Sequence, residues 1–304
     1  MNITHFFEQM FFHPKWHHAP VMLLLAPFSL LYGTVMFFRR TGSRKQNFGI
    51  PIVSVGNLIV GGSGKTPFAI ALASRYKNVA IISRGYGRKS KGLVEVSRAG
   101  KILVPVEQSG DEAMLMARSL PQASVIVSED RHRAIGLAKE RGAKLILLDD
   151  GFNRVEIEKF EILLEPAAIR NPFPFPAGPF REFGWSRKYA DLILKEGRDF
   201  EREVTYEGLT EKMLLVTAIS NPERLEKYLP EGVVSRVYLE DHAYFDEAFL
   251  EKKMGACGAK SLLVTEKDHV KMGDFKLPVS QIKLKLNIKE EVFKTIDRYI
   301  KSKV

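Results

Sequence analysis

An apolar run, Pro51–Val55, leads into Gly56-Asn57-Leu58-Ile59-Val60-Gly61-Gly62-Ser63-Gly64-Lys65-Thr66-Pro67 and then into a helix-period stretch from Phe68 to Tyr76. This order of strand, glycine-rich turn, Lys-Thr and helix constrains the chain more than any other feature. It starts a parallel α/β architecture and builds a phosphate cradle in the same stroke. Backbone N–H groups and the positive end of the helix face an anion, Lys65 reaches the β/γ-phosphates, and the Thr66 hydroxyl can bind Mg²⁺. Gly61, Gly62, Ser63, Gly64, Lys65 and Thr66 are therefore the expected nucleotide-binding residues. The generic G-x-x-x-x-G-K-[ST] spacing fails at one position, where Ile59 replaces the first glycine.

Beyond this loop, short apolar runs recur at 79–82, 124–127, 145–148 and 162–164, with helix-period segments at 67–76, 111–120 and 130–141. The pattern predicts an α/β fold of the P-loop NTPase-like kind, with a mainly parallel sheet and the loop at the C-terminal end of the first strand. Prolines crowd 171–179 and exclude helix or interior strand, so an extended ordered loop is expected there. The charged passage 195–212 reads as a connector. Strands at 213–220, 233–239, 262–265 and 281–286 and an amphipathic helix at 289–301 suggest a second, smaller α/β domain. The expected organisation is 1–45 as a membrane-associated helical segment, 46–208 as the P-loop domain and 209–304 as the smaller α/β domain.

With 304 residues and a single cysteine, Cys257, the chain has room for one large or two medium cores and no internal disulfide. A formal charge of +10 calls for an anionic partner. The basic residues are dispersed and no nucleic-acid module is present, which turns the expectation from nucleic acid toward a lipid surface or a phosphorylated substrate. The stretch from Pro20 to Phe38 carries no charge and, as a helix, would extend roughly 28 Å, near the thickness of a bilayer core. Arg39, Arg40, Arg44 and Lys45 follow it, so the positive-inside rule places the body on the cytoplasmic side. No small-residue cleavage site follows, unlike a signal peptide. Pro27, Ser29 and Gly33 leave open whether the helix spans the membrane or lies on it.

Several polar positions carry two readings. Asp149-Asp150-Gly151 ends an apolar strand: alone it is a turn, but beside a phosphate loop it sends carboxylates to Mg²⁺. Ser109-Gly110-Asp111-Glu112 reads as a capping box, and spacing alone does not make Asp111 catalytic. The loop Ser83-Arg84-Gly85-Tyr86-Gly87-Arg88 either clamps phosphates or is a solvated turn. Asp241-His242 follows a strand, where a lone histidine is more often structural. Thr265-Glu266-Lys267-Asp268 satisfies a capping box and lacks the Asn-Lys-x-Asp spacing that reads guanine.

Taken together and in order, these motifs, with Pro176-Ala177-Gly178-Pro179 and Arg181-Glu182, resemble the tetraacyldisaccharide 4′-kinase family over nearly the whole chain. The GNxxxGGxGKTP form covers the missing first glycine. The resemblance implies transfer of the ATP γ-phosphate to the 4′-hydroxyl of a tetraacylated glucosamine disaccharide 1-phosphate, giving lipid IVA in lipid A biosynthesis, with ATP and Mg²⁺ as cofactors. It implies Asp111 as base with His242 as its partner, Lys65 on the transferring phosphoryl group, and Mg²⁺ held by Thr66, Asp149 and Asp150. It offers Arg84, Arg88 and Arg181 for phosphate contacts and Glu182 for a sugar or metal contact. Two positions depart from the family pattern: Asn153-Arg154 stand where Gln-His is usual, and Ala113 where proline often follows Gly-Asp-Glu. A membrane-bound regulatory ATPase, which needs no lipid-sugar acceptor, is the rival reading.

Overall fold

A computed structural model describes residues 3–61, 64–166 and 168–303. In chain order its helices are α1 (Ile3–Phe12), α2 (Ala19–Gly42), α3 (Lys65–Ala73), α4 (Val106–Ser109), α5 (Asp111–Ser119), α6 (Arg131–Glu140), α7 (Glu247–Cys257), α8 (Glu266–His269) and α9 (Glu290–Ser302). The strands of the N-terminal half are β1 (Ile52–Gly56), β2 (Val79–Ser83), β3 (Val94–Arg98), β4 (Lys101–Ile102), β5 (Ser124–Val127), β6 (Leu145–Asp149) and β7 (Phe160–Glu165). They are followed by β8 (Leu192–Lys195), β9 (Phe200–Glu207), β10 (Met213–Thr217), β11 (Val233–Tyr238), β12 (Ser261–Thr265) and β13 (Val279–Ile288).

The chain divides into two compact units. The first comprises Met1–Lys65, Leu145–Phe200 and Ile288–Val304; the second comprises Thr66–Lys144 and Glu201–Asn287. In the first unit β6, β1, β7 and β8 lie side by side and parallel, with Val55 opposite Asp149 and Ser54 opposite Glu161. All five residues of β1 and of β6 are buried, the near-continuous apolar signature of a strand covered on both faces. Helix α9 presents Val292, Phe293 and Ile296 inward, and its Tyr299 hydroxyl donates to the Ile52 carbonyl at 3.0 Å. That bond fixes the root of the strand that feeds the phosphate loop.

In the second unit β2 and β5 are parallel, while β3 joins β5, and β4 joins β3, antiparallel. A five-stranded sheet runs in the order β11-β10-β12-β13-β9. Its central strands β10 and β12 are buried, whereas β11 alternates half-buried Val233, Ser235 and Val237 with exposed Val234, Arg236 and Tyr238, as an edge strand should.

The structure revises the sequence reading in three places. The stretch expected as a connector contains β9, an edge strand whose alternating charges (Glu201, Arg202, Glu203, Glu207) mask the period-2 pattern while protecting the open edge. Three short strands, β3, β4 and β8, add to those expected from the apolar runs. The capping box expected at Ser109 does not form: Ser109 ends α4, and Gly110, at φ 81°, is the N-cap of α5. By contrast the Thr265 hydroxyl does accept from the Asp268 N–H to cap α8.

Helix α2, with the short 3-10 turn before it, is long and apolar enough to cross a membrane by length and composition. Leu23, Leu24, Phe28, Leu31 and Phe38 are exposed on it, while Ser29 and Gly33 are buried.

Candidate active site

The phosphate loop leaves β1 through Gly56. A Cβ there would stand 2.5 Å from that of Phe152, so only glycine lets the strand end lie against the Asp149-Asp150-Gly151-Phe152 turn. Gly61 and Gly64 take φ of 90° and 76°, the left-handed region glycine enters without a Cβ penalty. Gly62 and Ser63 lie outside the described residues. Lys65 donates to the Asn57 side-chain oxygen at 3.1 Å and stands 3.6 Å from Asp150. Asn57 is itself buried, and its partnership with Lys65 escaped the sequence reading. Thr66 is buried in the first turn of α3.

Asp149 ends β6 buried, and Asp150 follows at φ 55° with its N–H on the Val55 carbonyl. Arg181 Nη1 donates to both Asp150 oxygens at 2.9 and 2.8 Å. Burial opposes ionisation of Asp150, but Lys65 and then Arg181 outweigh it and hold the carboxyl below its usual range. Arg181 is delivered by a segment laddered onto the loop, since Val60 donates to Pro179 and Arg181 to Leu58 through backbone N–H groups. Glu182 is buried and receives both arms of Arg40 at 2.7 Å. Asn153 and Arg154, where the family pattern differs, are engaged through backbone carbonyls: Arg39 donates to Asn153 and Lys159 to Arg154. Those contacts need no particular side chain at either position.

The second unit assembles a separate acidic centre. Gly110 is required before Asp111, because a Cβ would meet the Tyr86 carbonyl oxygen at 2.7 Å. Asp111 therefore opens α5 at its positive end, where a carboxylate is favoured. His242, at φ 62°, places Nδ1 at 2.8 and 3.0 Å from the two Asp111 oxygens. Its ring lies 5.0 Å from that of Tyr86. Lys267 and Lys271 each stand 3.8 Å from Asp111 Oδ2. Burial pushes the Asp111 pKa up, yet the His242 hydrogen bond and the lysine charges reverse this and hold it below the usual carboxylate value. Lys267 lies in the Thr265–Asp268 motif without a role in the sequence reading, and Lys271 is not singled out there. Their i, i+4 spacing past the α8 cap is the signal that puts both on one side of Asp111.

Of the arginines in the Ser83–Arg88 loop, Arg84 is exposed. Arg88 is packed inward, donating to Glu129 and to the Gly92 carbonyl at 2.6 Å each. Chemically, the first unit offers a cationic cradle with carboxylate oxygens at its rim, and the second offers an ionised carboxylate backed by histidine.

Among the described residues, no three histidines, cysteines, aspartates or glutamates cluster as a metal cage. Asp149 and Asp150 of the first unit are oxygen donors only, the ligand chemistry that suits Mg²⁺.

The comparisons agree with this chemistry. The family described as Tetraacyldisaccharide-1-P 4'-kinase matches residues 21–301. The Tetraacyldisaccharide 4'-kinase of Helicobacter pylori strain J99 is 49% identical over 298 residues, covering 98% of this chain and 95% of that protein. Its counterpart in Aliarcobacter butzleri is 43% identical over 304 residues, covering 97% and 96%. The crystal structure of "apo" form LpxK from Aquifex aeolicus in complex with ATP superposes with a TM-score of 0.78 at 30% identity, covering 92% of this chain and 99% of that one. With motifs, fold and near-full-length similarity in accord, this chain belongs to the tetraacyldisaccharide-1-phosphate 4'-kinase family.

Proposed function

We infer that the chain transfers the γ-phosphate of ATP to the 4′-hydroxyl of a tetraacylated glucosamine disaccharide 1-phosphate, the step that forms lipid IVA. The observation that carries this reading is the Asp111–His242 pair, 2.8 Å apart. An ionised carboxylate oriented by an imidazole is what an alcohol acceptor needs, and what a nucleotide switch does not.

In this reading Asp111 takes the proton of the 4′-hydroxyl as the new P–O bond forms, and His242 orients or polarises the carboxylate. A positioned base of this kind is worth about 10²–10⁴-fold. Lys65 offsets negative charge on the transferring phosphoryl group. Asp149, Asp150 and Thr66 would hold Mg²⁺, which when bound supplies charge neutralisation across the phosphates. Arg181 and Arg84 are the candidate phosphate contacts; the Arg88 side chain is packed inward on Glu129 and the Gly92 carbonyl and leaves that set. Glu182, the sugar or metal contact that the resemblance offers, is held by Arg40. The acceptor is a membrane lipid with its sugar at the surface. The exposed apolar face of α2 and the basic residues 39–45 suit a body held on the cytoplasmic face of the inner membrane.

The test is a transfer assay with γ-labelled ATP, Mg²⁺ and detergent-dispersed tetraacyl disaccharide 1-phosphate. Lipid-dependent label on the disaccharide is expected. Phosphate release independent of the lipid, with no labelled lipid, would favour the regulatory ATPase instead.

A further inference from the structure

Within the first unit, one segment, residues 177–183, joins the apolar helix to the phosphate loop. Ser29 Oγ of α2 accepts from the Ala177 N–H at 2.8 Å. A Cβ on Gly33 would stand 2.6 Å from the Phe183 ring, so helix and segment are in close contact there. Arg40, in the last turn of α2, donates Nε and Nη2 to the two Glu182 oxygens at 2.7 Å each. Positions 29, 33 and 40 are separated by four and seven residues and so share one helical face. That stripe of α2 is laid along the segment.

The far side of the same segment is the one that ladders onto Leu58 and Val60 and presents Arg181 to Asp150. Arg40 reaches the other half of that ion pair as well. Its Nη2 donates to the Phe152 carbonyl at 2.9 Å, two residues beyond Asp150, and its Cζ lies 4.4 Å from the Phe152 ring centroid. Arg39 donates to the next carbonyl, that of Asn153. The last turn of α2 thus grips the backbone beside Asp150 and the side chain beside Arg181 with one buried guanidinium. The Arg40 and Glu182 side chains are 7% and 3% exposed. A buried ion pair is weak evidence for net stability, whereas the planar fork of arginine fixes orientation.

We propose that Arg40 is a positioning residue for phosphoryl transfer. By clamping Glu182 and the Phe152 carbonyl it holds Arg181 and Asp150 in register with the phosphate loop, so the seating of the apolar helix is transmitted to the nucleotide-side carboxylate. The proposal rests on the kinase reading above and adds a role for the helix other than holding the protein at a membrane.

The experiment measures kcat, the KM for ATP and the KM for the lipid, together with the unfolding midpoint, for wild type, Arg40→Ala, Glu182→Gln and the double variant in detergent-dispersed substrate. Arg40→Ala should lower kcat by about 10- to 100-fold, the scale of ångström-level misplacement of reacting groups. The KM for the lipid should stay within about twofold, since binding that is equal in ground and transition states is untouched. Glu182→Gln should act in the same direction, and the double variant should be no worse than Arg40→Ala, because the two act as one unit. If Arg40→Ala does not fold, Arg40→Lys carries the same test, keeping the charge and losing the fork. A wild-type kcat with only the lipid KM raised, or independent, multiplying losses in the double variant, would overturn the positioning role. An inactive wild type would overturn the kinase reading and this proposal with it. An active wild type beside an indifferent Arg40 overturns this proposal alone.

Discussion

Asp150 and Asp111 are both carboxylates held below their ordinary pKa against the cost of burial, yet their surroundings differ in kind. Asp150 faces the Arg181 guanidinium at 2.8 Å and the Lys65 ammonium at 3.6 Å. Asp111 has lysines at 3.8 Å and its close partner is His242, the residue type that both gives and takes protons near neutrality. A carboxylate between a guanidinium and an ammonium keeps its charge, as the phosphate-side role proposed for Asp150 requires. One whose close contact is an imidazole, with its lysines at 3.8 Å, is the one proposed as base. Similar ionisation in the resting state therefore suits the two different tasks proposed for these carboxylates.

The largest expected effect falls on the Asp150 side. Lys65→Ala should depress transfer by about 10³-fold or more, the scale seen when a cation on a transferring phosphoryl group is removed. Lys65 lies at the end of a loop and its loss leaves Arg181 on Asp150, so the urea midpoint should hardly move. Retained activity would undo the phosphate-loop reading.

A smaller effect sharpens the comparison inside the first unit. The folded pKa of Asp150 is depressed, so the stability its ionisation contributes is complete above the normal 3.8 and is lost as pH falls through the folded value. Glu161 has the opposite sign. It is buried beside Lys159, 2.7 Å away, and burial, only partly offset by that lysine, pushes its carboxyl up to about 7. Its contribution is complete below 4.5 and is lost as pH rises through about 7. Urea unfolding from pH 5 to 8 should show wild type losing ground to Glu161→Gln by more than about 1 kcal/mol, since a tenfold change in proton affinity is worth about 1.4 kcal/mol. A pH-independent difference between the two proteins would contradict this.

Much of the framework is legible in the sequence because the buried parallel strands are near-continuous apolar runs; β1, β2, β5 and β6 fall within a residue of those runs. The edge strand β9 is not, since its charges answer to solvent rather than to the core. Lys65, Thr66, Asp149 and Asp150 are legible because one strand–loop–helix motif and one strand end carry them locally. Asp111 and His242 are 131 residues apart in sequence, and their local signals, a helix start and a lone histidine, point to capping and structure. Only the family resemblance joins them beforehand. Arg40 and Glu182, 142 residues apart, leave no local signal at all, because a basic residue after an apolar helix reads first as a membrane-flanking charge.

The division of labour between the two carboxylates is tested most directly by Asp111→Asn, measured for ATP affinity and for lipid-dependent transfer in the same preparation. The account predicts ATP affinity within about threefold of wild type and kcat lowered by about 10²–10⁴-fold, the worth of a positioned base. A near-wild-type kcat with ATP binding intact would contradict it and leave Asp111 as a helix-opening carboxylate without a part in proton transfer.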